Sequence, residues 1–356
     1  MSSSVAFTVR ARAARPWLGG LAVAALLVAA GASPSAAADA PHVKIAVGGS
    51  SCVCYLPTIL TRELGYYKEA GLDVELLDFK GGSTALTAVL GGSADIVSGF
   101  YDHTVELAAK KKAMQSIVIF DKLPGLVLTV SPKETANIKT IADLAGKHVG
   151  VSAPGSSTDF FLKYLLRKNG VDPSKVPVVG IGNGATSVAA MEQDQVQAAV
   201  LVEPAVTELQ SRHHDIRILS DTRTEAETQK VFGGNYPAGA LYTTTAWVEA
   251  HKATAQKLAD AMVHTLHWIH THSAEEIMAK MPKQFTAADP KTYLAALKNM
   301  IPTYSTDGLM DPKGAEAVLA VFSESVPAIK NAHVDVTKTY TNEFAKKADA
   351  KFGIKG

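Results

Sequence analysis

The sequence predicts an α/β chain made of two strand–helix–strand units in tandem, followed by a largely helical remainder. Three observations carry this. Short β-branched strands alternate with helix-length amphipathic segments from His42 to Leu219. Each strand runs out into a Gly/Ser-rich turn. A polar change-over, Lys133 to Ile141, separates the first unit from the second.

The N-terminus is set aside first. Arg10, Arg12 and Arg15 precede an apolar run from Trp17 to Ala30, which Ser33-Pro34-Ser35 breaks before Ala36-Ala37-Ala38. This is the layout of a cleavable secretory signal over residues 1–38, too short for a membrane span. The mature chain is expected to start near Asp39 or Pro41. No cysteine stands at the cleavage point, so no lipid anchor is expected, and the alanine-rich signal points to the periplasm.

In the first unit, His42 to Val47 is a strand with Gly48 to Cys54 as its exit loop. A helix from Thr58 to Leu64 stops at Gly65. Asp73 to Phe79 is a strand leaving through Lys80-Gly81-Gly82-Ser83, and Thr84 to Leu90 is a helix. Ala94 to Ser98 is a strand leaving through Gly99 to His103, with a helix to Lys112. Gln115–Asp121 and Leu126–Ser131 are further strands, and the sheet is expected to be parallel. The second unit has a strand at Val149–Val151, a turn Ser152-Ala153-Pro154-Gly155, and a helix opened by Ser156, Ser157 and Thr158 that runs to Lys168. A strand to Gly180 then exits through Gly182 to Thr186. Ala198 to Val202 ends in Glu203-Pro204, and Ile216 to Leu219 follows. Tyr236 to Thr244 is an extended stretch crossing back. Helices are expected over Ala246–His272, Ala274–Met281, Pro290–Ile301, Lys313–Val321 and Thr337–Phe352.

The turn Val149 to Asp159 is the focal stretch. A strand that turns through Gly and Ser into a helix aims free backbone N–H groups and hydroxyls at one spot, which suits a small anion. The same residues also make an ordinary helix cap. Repetition of the pattern at other strand ends favours a site.

Charge excludes some classes. With 35 basic and 34 acidic residues, no field suited to nucleic acid or an anionic surface is expected. The only cysteines, Cys52 and Cys54, lie in an export-compatible chain, but a separation of two is poor disulfide geometry. They are read as small residues in a loop, and no nearby His or Cys completes a metal set. His264, His267 and His270 share one helix face and are read as a polar face, so no metal site is expected. No G-x-S-x-G, H-E-x-x-H or P-loop is present, and no catalytic residue is assigned.

Several of these stretches together resemble a known family. They are the G-G-S-S loop, Tyr55-Leu56-Pro57, E-L-G-Y-Y-K-E-A-G-L-D-V-E (Glu63 to Glu75), G-G-S (Gly81 to Ser83), G-G-S-A-D-I (Gly91 to Ile96), L-A-G-K-H-V-G-V, P-G-S-S (Pro154 to Ser157) and V-E-P (Val202 to Pro204). From about Val43 to Ala246 the chain resembles the periplasmic solute-binding proteins of nitrate/sulfonate/taurine-type ABC importers, a group that includes thiamine-pyrimidine binding proteins. The resemblance implies a two-lobed, type II periplasmic binding protein fold. The ligand cleft would lie between the lobes, spanned by two crossing hinge segments. Lobe one would be residues 41–131 plus 242–356 and lobe two 132–241, with hinges near Ser131-Pro132 and Tyr236–Ala240. The implied partners are a small-molecule ligand and the permease and ATPase subunits of an importer. No cofactor and no nucleic acid is expected, and the chain is expected to be a monomer.

Ligands of open parallel sheets bind beyond the carboxyl ends of strands. The expected ligand contacts are therefore Ser50, Ser51, Cys52, Tyr55, Gly82, Ser83, Phe100 and Tyr101 in lobe one. In lobe two they are Ser152, Ser156, Ser157, Thr158, Ala185, Thr186 and Glu203, with Tyr236 closing from the hinge. Hydroxyls and amides would hold an anionic head, a sulfonate or carboxylate, and the aromatics would enclose an apolar body. His103 and Lys80 are the basic groups near the first-lobe loops. Glu203 either faces the ligand, favouring a pyrimidine or another nitrogen heterocycle, or braces a helix start. The fungal thiamine-pyrimidine synthases look similar and carry a cysteine-rich loop near Ser51-Cys52-Val53-Cys54, but only two cysteines stand here. A transcriptional sensor lobe would need a DNA-binding helix pair where the signal lies.

Overall fold

A computed structural model describes residues 40–286 and 288–354. The expected signal segment, 1–38, lies outside the described residues. Two five-stranded sheets form the centres of two lobes. The first contains β1 (His42–Val47), β2 (Asp73–Asp78), β3 (Ile96–Phe100), β4 (Met114–Ile119) and β10 (Gly239–Thr244), in the order β2-β1-β3-β10-β4. The second contains β5 (Val127–Val130), β6 (Val149–Val151), β7 (Val178–Gly180), β8 (Ala198–Leu201) and β9 (Ile218–Asp221), in the order β7-β6-β8-β5-β9.

The two sheets have one plan. In each, three strands pair in parallel, and a fourth runs antiparallel between the third and the edge strand. This corrects the expectation of purely parallel sheets. The antiparallel strand of each sheet is the one delivered by the crossing chain. β5 follows β4 of the first lobe but pairs with β8 and β9, and β10 follows β9 of the second lobe but pairs with β3 and β4. Sheet membership puts the first crossing at residues 120–126, ahead of Ser131-Pro132, and the second at 222–238, which overlaps the expected Tyr236–Ala240. Val127–Val130 belongs with the second lobe, and Gly239–Leu241 with the first.

The central strands read as unbroken apolar runs because both faces are covered by helices. β3, β5 and β8 are buried along their whole length. The Lys252–Thr271 helix lies over the first sheet, with Leu258, Met262, Leu266 and Ile269 buried on its inner stripe. Of the histidines on that helix, His264 stacks between Tyr66 and Phe352, and the His270 Nε2 lies 3.1 Å from the Ser305 carbonyl. The C-terminal helix is shorter than expected, Glu343–Phe352, because Val336–Lys338 forms a separate 3-10 turn.

Candidate ligand-binding cleft

The carboxyl ends of the parallel strands of both sheets converge on one cleft. The exit of β1 supplies Gly48, Cys54 and Tyr55, that of β2 supplies Gly82, and Phe100 ends β3. From the other side β6 delivers Ser152, Ser156, Ser157 and Thr158, β7 delivers Asn183 and β8 delivers Val202. Leu126 enters just before β5. Together these residues line a narrow cavity of about 20 Å3, room for little more than one water molecule with the lobes in this position.

Two helices begin at this cavity. The Gly82–Leu90 helix starts two residues earlier than its sequence suggests, so Gly82 and Ser83 lie in its first turn. Opposite it, the Ser157–Lys168 helix has Ser156 at its N-cap position in extended conformation. The first-turn amides of Gly82, Ser157 and Thr158 have no intrahelical acceptor, so two positive helix ends face the same space. The Tyr55 hydroxyl also has no hydrogen-bond partner among the described residues, and burial pushes its pKa far up, so it keeps its proton and remains a donor. Its ring packs edge-on against Phe100 and Phe120. Among the described residues no Lys, Arg or His lines the cavity.

The serines are held by their neighbours. Ser152 Oγ lies 2.9 Å from Thr158 Oγ1, which also accepts from the Ser152 amide. Across the cleft, the Ser83 amide donates to Ser156 Oγ (3.0 Å) and Ser83 Oγ donates to the Pro154 carbonyl (3.0 Å). Ser157 Oγ donates to Asp102 Oδ1 at 2.7 Å. Burial raises the pKa of Asp102 from its ordinary value despite neighbouring His103 and the Ser157 bond. His103 Nε2 sits 3.2 Å from the Gly155 carbonyl, and its Nδ1 lies 3.3 Å from the Phe100 carbonyl and 3.1 Å from the Tyr242 hydroxyl.

Of the expected contacts, Tyr55, Gly82, Phe100, Ser152, Ser156, Ser157 and Thr158 line this cavity. Ser83 does not line it but bridges the lobes at its rim. Ser51, Ala185 and Thr186 line a larger outer groove of about 630 Å3. Ser50 faces a separate hollow beside Ile59 and Arg62, its amide donating to Asp78. Tyr101 is buried in lobe one with its hydroxyl on Thr339. Tyr236 stacks on Phe232 and donates to Asp102 Oδ2 at 3.4 Å.

Glu203 is withdrawn from the cleft. Its fully buried carboxylate accepts from the Thr207 amide and hydroxyl, from Asn299 Nδ2, and from Arg223 at 2.7 Å. It braces the start of the Ala205–Arg212 helix, as an acid at a helix N-terminus does. Cys52 and Cys54 are joined by a disulfide, against the expectation of a separate pair. The 3-10 turn Val53–Tyr55 folds the loop back, bringing two sulfurs together that an extended chain would hold apart. Cys54, not Cys52, reaches the cavity wall. Sequence reasoning also missed Gly48, Leu126, Asn183 and Val202. Asn183 stood in a loop already marked as a strand exit, and that was its only signal.

Residues 55–276 match the family model described as NMT1/THI5 like. The chain belongs to that family. A solved structure from Bordetella bronchiseptica RB50 is 40% identical, with 88% of this chain and 98% of that one covered and a TM-score of 0.85. The fold also matches the alkanesulfonate-binding protein SsuA from Xanthomonas axonopodis pv. citri bound to MOPS (16% identity, 86% and 100% covered, TM-score 0.65). It matches the periplasmic nitrate-binding protein NrtA from Synechocystis PCC 6803 as well (14% identity, 89% and 90% covered, TM-score 0.66). The two-lobed periplasmic binding protein fold implied by the resemblance is thus the fold observed. Among the described residues no helix is long and apolar enough to cross a membrane, and no group of three or more His, Cys, Asp or Glu is placed to share a metal ion.

Proposed function

We propose that this chain is the substrate-binding component of an ABC importer. It captures a small organic anion, a sulfonate or carboxylate, between its lobes in the periplasm and presents it to the permease and ATPase subunits as a non-catalytic monomer. The lobes close on the ligand by a hinge at the two crossing segments. One observation carries the reading: the N-termini of the Gly82–Leu90 and Ser157–Lys168 helices, from opposite lobes, open onto one cavity with first-turn amides that have no intrahelical acceptor, beside serine hydroxyls held by their neighbours. The names of the SsuA and NrtA neighbours, which bind an alkanesulfonate and nitrate, support an anion. The tied Cys52–Cys54 pair offers no thiolate, which argues against chemistry at that loop.

A second reading, a neutral nitrogen heterocycle, is favoured by the absence of any basic side chain from the lining and by the flanking rings of Tyr55 and Phe100. A thermal-shift screen of the ligand-stripped mature protein separates the two. The panel holds nitrate, taurine, alkyl and aryl sulfonates, carboxylates and aminopyrimidines. A true ligand at a hundred times its Kd adds about 2.7 kcal/mol. Stabilisation by sulfonates or carboxylates is the expected result, and stabilisation by aminopyrimidines alone would overturn it.

A further inference from the structure

The inner cavity and the outer groove share a single lining residue, Asn183. It stands on lobe two, between Gly182 and Gly184, both with left-handed backbone (φ +70° and +61°). Its carboxamide nitrogen reaches across the cleft and donates to the carbonyls of Gly48 (3.3 Å) and Lys80 (3.2 Å), both on lobe one. The fit is tight: a Cβ placed on Gly49 would lie 2.2 Å from Asn183 Nδ2. On one side of this bar are the helix-start amides. On the other is a groove of about 630 Å3 whose walls include Phe79, Val179 and Ile181.

We infer that Asn183 is the specificity-determining residue that sets the upper limit on ligand length. The head group lies against the amides of Gly82, Ser157 and Thr158, and the tail ends at the carboxamide. Shortening Asn183 joins the cavity to the groove and gives a longer tail an apolar wall to follow. This rests on the anion reading above.

The test uses the mature protein and its Asn183→Ala variant, titrated calorimetrically with straight-chain sulfonates and carboxylates of one to eight carbons. Wild-type affinity is expected to rise with length and then fall at least tenfold from its best member to the octyl compound. In Asn183→Ala it continues to rise, about fourfold for each methylene that gains cover. The same length profile in both proteins, or a uniform loss at every length in the variant, overturns the inference. A second measurement needs no ligand. Cys54 lines the inner cavity, so the rate at which a water-soluble phosphine reduces the Cys52–Cys54 disulfide reports access to it. Asn183→Ala should raise that rate several-fold, and equal rates count against the gate. If no sulfonate or carboxylate binds wild type, the anion reading falls and the reduction rates alone decide the role of Asn183.

Discussion

Gly81 is where lobe one meets the turn before the Ser157–Lys168 helix with no room to spare. A Cβ there would lie 3.0 Å from the Ala153 Cβ, 3.0 Å from Ser156 Oγ and 3.1 Å from Ser152 Oγ. All three neighbours belong to lobe two. The Gly81 backbone is extended (φ −173°, ψ 170°), a conformation any residue adopts, so alanine brings no local strain. Overpacking of this kind costs about 1–3 kcal/mol. Because the crowding lies between lobes, that cost falls on closure and not on folding of either lobe. Ligand affinity of Gly81→Ala should therefore drop about 5- to 150-fold. Ligand-free thermal stability should hold or rise slightly, since alanine restricts the unfolded chain. Calorimetric titration and thermal unfolding of the same preparation check both halves. Unchanged affinity would refute the reasoning, and so would an affinity loss matched by an equal loss of ligand-free stability.

Two further outcomes follow from buried carboxylates. Asp121, within the first crossing, is fully buried with neither oxygen hydrogen-bonded among the described residues, and burial holds it protonated well above the usual carboxylate range. The folded state thus binds a proton that the unfolded chain releases near pH 4. The stability this proton confers is complete below that pH and is lost as pH rises toward the folded value. Asp121→Asn should remove up to about 1.4 kcal/mol per pH unit of that decline. Parallel stability–pH curves from urea denaturation would rule this out. Glu203→Ala strips the Ala205–Arg212 helix start and one partner of Arg223, and should cost about 3 kcal/mol of stability in the same assay. It should leave the order of ligand preference unchanged, and a shift in that order would return Glu203 to the site.

The local pattern along the chain carried a large share of this protein. Alternating β-branched runs, Gly stops and Ser/Thr helix openings depend only on neighbours in sequence. The tandem units, the focal turn Ser152–Thr158 and the contacts Tyr55, Gly82 and Phe100 were therefore legible as strand exits. Non-local pairing was not. Nothing in Val127–Val130 distinguishes a strand of the first sheet from one of the second, because both environments bury it equally. Only the partners β8 and β9 assign it.

Side-chain direction in loops was likewise decided by tertiary structure. Glu203 and Val202 are adjacent, yet Val202 faces the cleft while Glu203 turns to Thr207, Arg223 and Asn299, groups 4 to 96 positions away. A buried carboxylate goes where donors satisfy it, and those donors are assembled only by folding. Cys54 and Asn183 follow the same rule. One was turned to the cavity by a 3-10 loop, the other was placed by carbonyls 135 and 103 residues earlier. Sequence by itself determined the lobes' building plan and the chemistry at their strand ends. The tertiary structure decided which of those ends meet and which side chains stand between them, because contacts across a cleft belong to no single stretch of chain.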